Sequence, residues 1–242
     1  MLILLTVVLL VPFANLWFYA TMGYQYVFGL DTLQTALAMA PAQVGAIVGA
    51  LVTRKVLQRK GIPFTGTVLL VAFAVTLAPV LLIGVDSPLW VPILVFGLYA
   101  AAFTGASIPI TNAIMNTAPH GEEGSASAFR SASGHLGSAL GVVFTTAVLA
   151  TAITTSLNSQ LSAQGMDGAQ SEQIAQGIID GATSEDLSAQ YSVPVADVDT
   201  IGDDLSVAMV DGLHLVATTG SVIALPCAGA FRVAVRRQGF QG

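Results

Sequence analysis

Arg130 and His135 place ionisable chemistry inside a run of residues that otherwise suits lipid. In an α-helix, with about 100° of rotation per residue, Arg130 falls on a narrow face whose other members are glycines. This face consists of Arg130, Gly134, Gly137 and Gly141. A charged side chain at membrane depth costs at least about 2.5–3.5 kcal/mol unless it faces protein, water or the membrane surface. Arg130 is therefore a candidate functional residue.

Each of these two residues has two interpretations. Arg130 lies about six residues into its predicted helix, or ~9 Å from its start. It therefore either extends to the lipid headgroups or lines and gates a polar pathway. His135 lies deeper in the helix. It is either a hydrogen-bonded packing residue or part of a proton-linked step, because histidine titrates near neutral pH.

The composition indicates a membrane protein. Hydrophobic residues make up 54% of the 242 residues and charged residues 9%. The mean hydropathy is +0.77. A soluble domain of this length does not normally have this combination. The net charge of −6 comes mainly from one acidic stretch, so it indicates no nucleic-acid partner. The single cysteine, Cys227, excludes a disulfide within the chain.

Six apolar runs, each near the ~20 residues that cross a bilayer core, predict an all-α membrane protein with about six transmembrane helices. The first run lacks a preceding basic region and is too long for the apolar part of a signal peptide. The polar stretch 156–204 predicts an extracytoplasmic acidic loop. Within it, the stretch from Ser171 to Ile179 and the stretch from Ser184 to Tyr191 each have the pattern of a short amphipathic helix. We expect a single transmembrane domain, residues 1–242, with helices at about 1–28, 33–53, 62–84, 89–115, 124–155 and 205–233.

The distribution of basic residues predicts how the chain is oriented. Cytoplasmic loops of membrane proteins carry an excess of lysine and arginine. One basic cluster follows the second predicted helix and another ends the chain. An even number of predicted crossings separates the two clusters, so both lie on the same side of the membrane. The clusters are Arg54, Lys55, Arg59 and Lys60, and Arg232, Arg236 and Arg237. We therefore expect a multi-pass protein of the cell membrane with both termini in the cytoplasm. For the first cluster, a gating role is secondary to this topological one.

Polar residues and small residues within the apolar runs supply further candidates. Gln25, Gln34 and Asn112 either face a substrate cavity or make hydrogen bonds between helices. Asp31 precedes a predicted helix start, where a carboxylate caps free N–H groups; a role in transport is the alternative. The remaining candidates are small or kink-forming residues that let helices approach closely. They are the pair Gly45 and Gly49, the pair Gly137 and Gly141, and the prolines Pro41 and Pro109.

The sequence carries no pattern typical of an enzyme. It has no glycine-rich phosphate loop, no histidine and cysteine cluster with metal-ligand spacing, and no nucleophile elbow. We therefore expect no catalytic residue, no cofactor and no metal.

Several motifs resemble those of one transporter family. Tyr24-Gln25, followed by Gly29 and by Met39-Ala40-Pro41, resembles a motif of the drug:proton antiporters in the fourteen-helix branch of the major facilitator superfamily. Ser107 through Pro119 and the stretch Gly124 to Ala128 are similar to a loop and a helix start of that branch. The last matching motifs are Leu136 to Gly141 and Asp211 to His214. The resemblance covers nearly the whole chain.

The resemblance implies that the chain is one half of a major-facilitator-type bundle, namely the C-terminal part of such an antiporter. The family usually has asparagine where this chain has Arg130 and arginine where it has Gly134. The cation therefore lies one turn closer to the predicted cytoplasmic end. Thr53 stands where the loop motif of the family has an acid.

Three functional hypotheses follow. The first is a permease domain that exports small hydrophobic or cationic drug-like molecules by alternating access, with the proton as coupling ion. In that hypothesis the first, second and fourth helices line the cavity. The second hypothesis is a membrane fragment or partner subunit that does not itself transport and lacks an N-terminal half. The third is a half-size transporter that closes its cavity with a second copy.

Overall fold

The computed structural model describes residues 7–8, 16–17, 19–119, 121–164, 173, 184–192 and 194–237, and every regular element in these ranges is helical. A leading helical segment, residues 16–17 and 19–22, continues into a π-helix at Gly23–Val27. Five α-helices follow in the described ranges, the first of them continued by a 3₁₀ turn at Ala78–Leu82. They are α1 (Thr32–Thr76), α2 (Trp90–Asn116), α3 (Glu123–Gln164), α4 (Ser184–Tyr191) and α5 (Val195–Arg237).

Helix α1 begins at a capping box formed by Asp31 and Gln34. The backbone N–H of Gln34 donates to Oδ1 of Asp31 at 2.7 Å, and the N–H of Asp31 donates to Oε1 of Gln34 at 3.1 Å. These two bonds satisfy two N–H groups that the first turn of a helix leaves free. The local sequence therefore fixes where α1 starts.

Gly61 divides α1 into two arms, residues 32–60 and 62–76. Its backbone has φ 71° and ψ 175°, outside the helical region. This conformation is essentially restricted to glycine, because a Cβ would clash with the backbone. The chain can therefore turn at this one residue without a longer loop.

The two arms of α1 lie side by side, as their contacts with Gly105 of α2 show. In an unbroken helix Thr53 and Leu69 would lie about 24 Å apart, at 1.5 Å per residue. A Cβ built on Gly105 would nevertheless lie 2.9 Å from Oγ1 of Thr53 and 3.6 Å from a methyl group of Leu69. The arms therefore form a hairpin that packs on α2.

Helix α5 packs on the second arm of α1. The ring of Phe231 fills the space above Gly66, where a Cβ would overlap it. The hydroxyl of Ser221 is shared between the carbonyl of Ala217 in its own helix, at 3.0 Å, and the carbonyl of Ala74, at 3.3 Å. Nε2 of His214 donates to the carbonyl of Ile83 at 2.8 Å. These bonds satisfy backbone carbonyls near the end of the second arm and join it to α5.

The observed helices extend beyond several predicted boundaries. Residues 54–60, predicted as a loop, are helical; α3 continues to Gln164 rather than about 155, and α5 begins at Val195 rather than about 205. The predicted boundaries mark where the apolar run ends, which is where a helix leaves the lipid. The helix itself ends only where its hydrogen bonding ends. The acidic loop is thereby shortened, although residues 165–172, 174–183 and 193 lie outside the described residues.

Three helical stretches among the described residues are long and apolar enough to cross a membrane. They are Thr32–Leu82, Trp90–Asn116 and Leu205–Arg236. The first has 51 residues and folds back at Gly61, so it is long enough for two crossings. The prediction of an all-α membrane fold is confirmed, while the count of six crossings stays a prediction.

Candidate functional site

A groove on the surface of α1 and α2 is a candidate for a substrate site. It has a volume of about 270 Å³ and combines one residue of the leading segment with residues from the first arm of α1 and from α2. We call it the α1–α2 groove. It is lined by Trp17, Ala42, Gln43, Ala46, Ala100, Phe103 and Thr104.

Small residues create this groove and larger ones form its walls. Ala42, Ala46 and Ala100 leave a depression between the two helices, which Trp17 and Phe103 border with aromatic surface. Phe103 is held in place by the rings of Phe73 and Tyr99, with centroids 5.8 and 6.5 Å away. The aromatic wall is therefore preorganised rather than free to rotate.

Gln43 and Thr104 give the groove its polar character. The side chain of Gln43 is exposed and that of Thr104 is half-buried. An amide and a hydroxyl can both donate and accept hydrogen bonds. Among the described residues, the groove lining contains no ionisable side chain, so its chemistry suits binding and orientation rather than proton transfer or nucleophilic attack.

Close contact of two helix backbones positions this groove. A Cβ on Gly45 would overlap the carbonyl of Gly97, and a Cβ on Gly49 would overlap the carbonyl of Ala101. The glycine pair with helical spacing therefore lies directly against the backbone of α2. Helices can approach this closely only where side chains are absent.

The polar residues singled out from the sequence lie elsewhere. Gln34 and Asp31 form the exposed capping box. Gln25 is half-buried in the π-helix, and Asn112 is half-buried in α2 about two turns beyond Thr104. None of the four lines the α1–α2 groove. The structure does not bring them together at one site.

Sequence reasoning missed Gln43 and Thr104. Gln43 is a polar residue in an apolar run, the same signal that selected Gln34, and it is flanked by small residues at helical spacing. Thr104 gave no signal, since threonine hydroxyls are common in membrane helices as donors to their own backbone.

Arg130 lies on the buried stripe of α3. The side chain is half-buried, and its Nε is enclosed without a hydrogen-bond partner among the described residues. Ser133 is 8% exposed, and its hydroxyl donates to the carbonyl of Phe129 at 2.7 Å. Gly137 and Gly141 continue the stripe and are buried. Part of the guanidinium of Arg130 is therefore shielded by protein rather than by lipid.

The opposite face of α3 is apolar and open. Phe129, Leu136 and Leu140 are 64%, 55% and 49% exposed. His135 is also exposed, and Gly134 is half-buried beside the stripe. Helix α3 therefore presents a smooth polar face to the bundle and an apolar face outward.

Two further sets of candidates, the prolines and the first basic cluster, lie outside the α1–α2 groove. Pro41 is exposed on α1, whereas Pro109 is buried in α2. The cations of the first basic cluster, Arg54, Lys55, Arg59 and Lys60, are exposed on the last turns of the first arm. They define a basic end of the bundle, which also carries the end of α5.

Comparison with known families gives one match. The sequence profile of the Major Facilitator Superfamily matches residues 1–142. The chain belongs to the Major Facilitator Superfamily. No curated protein matches it.

The match to the superfamily includes the main features described above. Residues 1–142 contain both arms of α1, all of α2, the α1–α2 groove and the stripe of α3 from Arg130 to Gly141. Proteins of this superfamily are membrane transporters. The groove and the stripe therefore belong to a transporter scaffold, and the superfamily supports a transport protein rather than an enzyme.

Proposed function

We propose that this chain forms one wall of the substrate pathway of a permease that exports small, amphipathic or cationic, drug-like molecules. The α1–α2 groove is the observation that carries the proposal. It combines aromatic walls with an amide and a hydroxyl, and the lining residues that the structure describes carry no charge. Such a surface binds varied apolar molecules and orients them through a few polar contacts.

The aromatic residues favour ligands with rings or positive charge. Trp17 and Phe103 offer π faces and edges to an aromatic ligand. A cation over the face of an aromatic ring gains about 0.5–2 kcal/mol, with tryptophan the best partner. A lipophilic cation would therefore bind here without a carboxylate.

The groove represents one side of a complete cavity. Its volume of about 270 Å³ lies just below the roughly 300–1,000 Å³ of a typical small-molecule site. In our proposal a second helical half or a second copy of the chain supplies the facing wall. Alternating access then results from rocking of one half against the other.

The proposed energy source is proton exchange, and the proposed location is the cell membrane with the basic end in the cytoplasm. The resemblance to drug:proton antiporters supports proton exchange as the energy source. The clustering of lysine and arginine at one end supports the proposed location and orientation. His135 is the candidate for a proton-linked step, since its exposed imidazole is accessible to a facing partner.

A dye-accumulation assay tests the proposal. Cells that express the chain from its unaltered reading frame should accumulate less ethidium than cells that do not express it. A protonophore should abolish this difference in accumulation. Gln43→Ala removes a groove amide and should raise accumulation toward the level of empty cells. Gln58→Ala is the matched control, since Gln58 is exposed on the same arm and does not line the groove.

Two outcomes would contradict the proposal. If ethidium accumulation equals that of empty cells although the protein is present in the membrane, the chain is a non-transporting subunit or fragment. If Gln43→Ala and Gln58→Ala transport equally well, the groove is not part of the pathway.

A further inference from the structure

A second groove lies at the basic end, between the second arm of α1 and the end of α5. It has a volume of about 350 Å³ and is distinct from the α1–α2 groove. We call it the basic groove. The residues that form it include Lys60, Phe64, Thr67, Val68, Arg232 and Arg236.

Three cations from two helices converge on this groove. Lys60 precedes the turn at Gly61, and Arg232 and Arg236 are one helical turn apart on α5. Like charges at this spacing repel each other. Among the described residues none of the three forms an ion pair with an acid. All three side chains are exposed, so water screens part of this repulsion, and an anion in the groove would offset the rest.

The second arm of α1 contributes the N-terminal end of a helix to the groove. It begins directly after Gly61, and Phe64 belongs to its first turn. Such an end carries a partial positive charge, but the C-terminal ends of the first arm and of α5 lie at the same end of the bundle and carry the opposite one. The cationic side chains therefore set the charge of the groove, and Nζ of Lys60 lies 6.0 Å from the centroid of the Phe64 ring.

The rest of the groove is apolar and faces outward. Phe64 is 52% exposed and Val68, one turn further along the arm, is 45% exposed. Both residues lie on the stretch Thr32–Leu82, which is apolar enough to span a membrane. The basic groove thus places cations at the end of a membrane-spanning helix and apolar surface below them.

We propose that the basic groove binds an anionic phospholipid. The lipid phosphate lies among Lys60, Arg232 and Arg236, and an acyl chain runs along Phe64 and Val68. Charge complementarity and the apolar surface together favour a lipid over a free anion. A bound lipid would join the second arm of α1 to α5 at the end where no hydrogen bond between described residues joins them. The bonds of Ser221 and His214 lie toward the other end of the arm.

Lipid binding to the purified, delipidated protein tests the proposal. Native mass spectrometry compares phosphatidylglycerol with phosphatidylcholine of identical acyl chains. Each cation near an anionic lipid contributes about fivefold in binding, so phosphatidylglycerol should bind at least about tenfold more tightly. The triple variant Lys60→Gln, Arg232→Gln, Arg236→Gln should bind both lipids equally, and Arg236→Gln alone should lose about fivefold.

The control variant removes the same number of charges from the same end of the bundle. This variant combines three substitutions outside the basic groove, Arg54→Gln, Lys55→Gln and Arg59→Gln. It should retain the preference for phosphatidylglycerol. Equal losses in the two triple variants would overturn the proposal in favour of general surface attraction. Displacement of phosphatidylglycerol by an equimolar amount of glycerol phosphate would overturn it in favour of a soluble phosphate ligand. The assay measures no transport, so its result is independent of the proposed function.

Discussion

Replacing Gly49 with leucine is expected to disrupt the packing of α1 on α2. A Cβ at this position would already overlap the carbonyl of Ala101, and backbone cannot rotate aside as a side chain can. Overpacking typically costs about 1–3 kcal/mol, and we expect about 3 kcal/mol or more here. For a chain of this size that lowers the melting temperature by on the order of 10 °C. Thermal unfolding of the purified protein in detergent measures it.

Gly229 supplies the matched control for Gly49. It lies within helix α5, and a Cβ there meets no atom within 4 Å. Alanine is favoured over glycine in a helix by about 1 kcal/mol. Gly229→Ala should therefore leave the melting temperature unchanged or raise it slightly. A Gly49→Leu protein that melts within about 2 °C of the wild type would show that the two backbones are not in contact.

Replacing Arg130 with alanine is expected to impair transport more than any other single change on α3. The guanidinium is partly enclosed by protein, and its Nε has no partner in the described part of the chain. We infer that it forms a hydrogen bond in another state of the transport cycle. A charge-assisted hydrogen bond contributes about 1.5–3 kcal/mol, which corresponds to a loss of efflux of about tenfold to hundredfold. Ethidium efflux at matched expression measures it.

Two further variants test whether the effect of Arg130→Ala on transport depends on the guanidinium at this position. Arg130→Lys keeps the charge but loses the planar donor geometry of the guanidinium, so it should restore transport only in part. Arg59→Ala removes an exposed cation from the basic end and should have little effect. Normal efflux by Arg130→Ala would show that Arg130 only extends to the lipid headgroups.

Hydropathy alone predicted the fold class, because lipid imposes one requirement on every crossing segment. All backbone groups must be satisfied within the segment, so a long apolar run becomes a helix. The exact ends of α3 and α5 did not follow, since a helix can continue into water beyond its apolar part. The Asp31 cap was recognisable because capping depends on residues only three positions apart.

Contacts between distant segments were not predictable from one sequence. The spacing of Gly45 and Gly49 indicates a smooth helix face, but it contains no information about Gly97 and Ala101, which lie against it. The basic groove illustrates the same point. Lys60 and Arg236 are separated by most of the chain, and the sequence indicated mainly a topological role for both. Their convergence depends on how the second arm of α1 packs on α5.

The environment of Arg130 was predictable from the sequence only in part. The helical periodicity placed it on a face with Gly137 and Gly141, and the structure buries that face and exposes Phe129 and Leu136 on the other. The pattern within one helix could therefore be derived from the sequence.

The most direct test of the account measures whether a transported cation protects the α1–α2 groove. Cys227 is the only cysteine, so Cys227→Ser gives a background for single cysteines. Ala46→Cys places a thiol in the groove and keeps Gln43, and Gln58→Cys places one outside it on the same arm. We predict that tetraphenylphosphonium slows maleimide labelling at Ala46→Cys by at least about fivefold, the effect of about 80% occupancy, and leaves labelling at Gln58→Cys unchanged. Equal labelling rates at Ala46→Cys with and without the cation, in a protein that still exports it, would contradict the account.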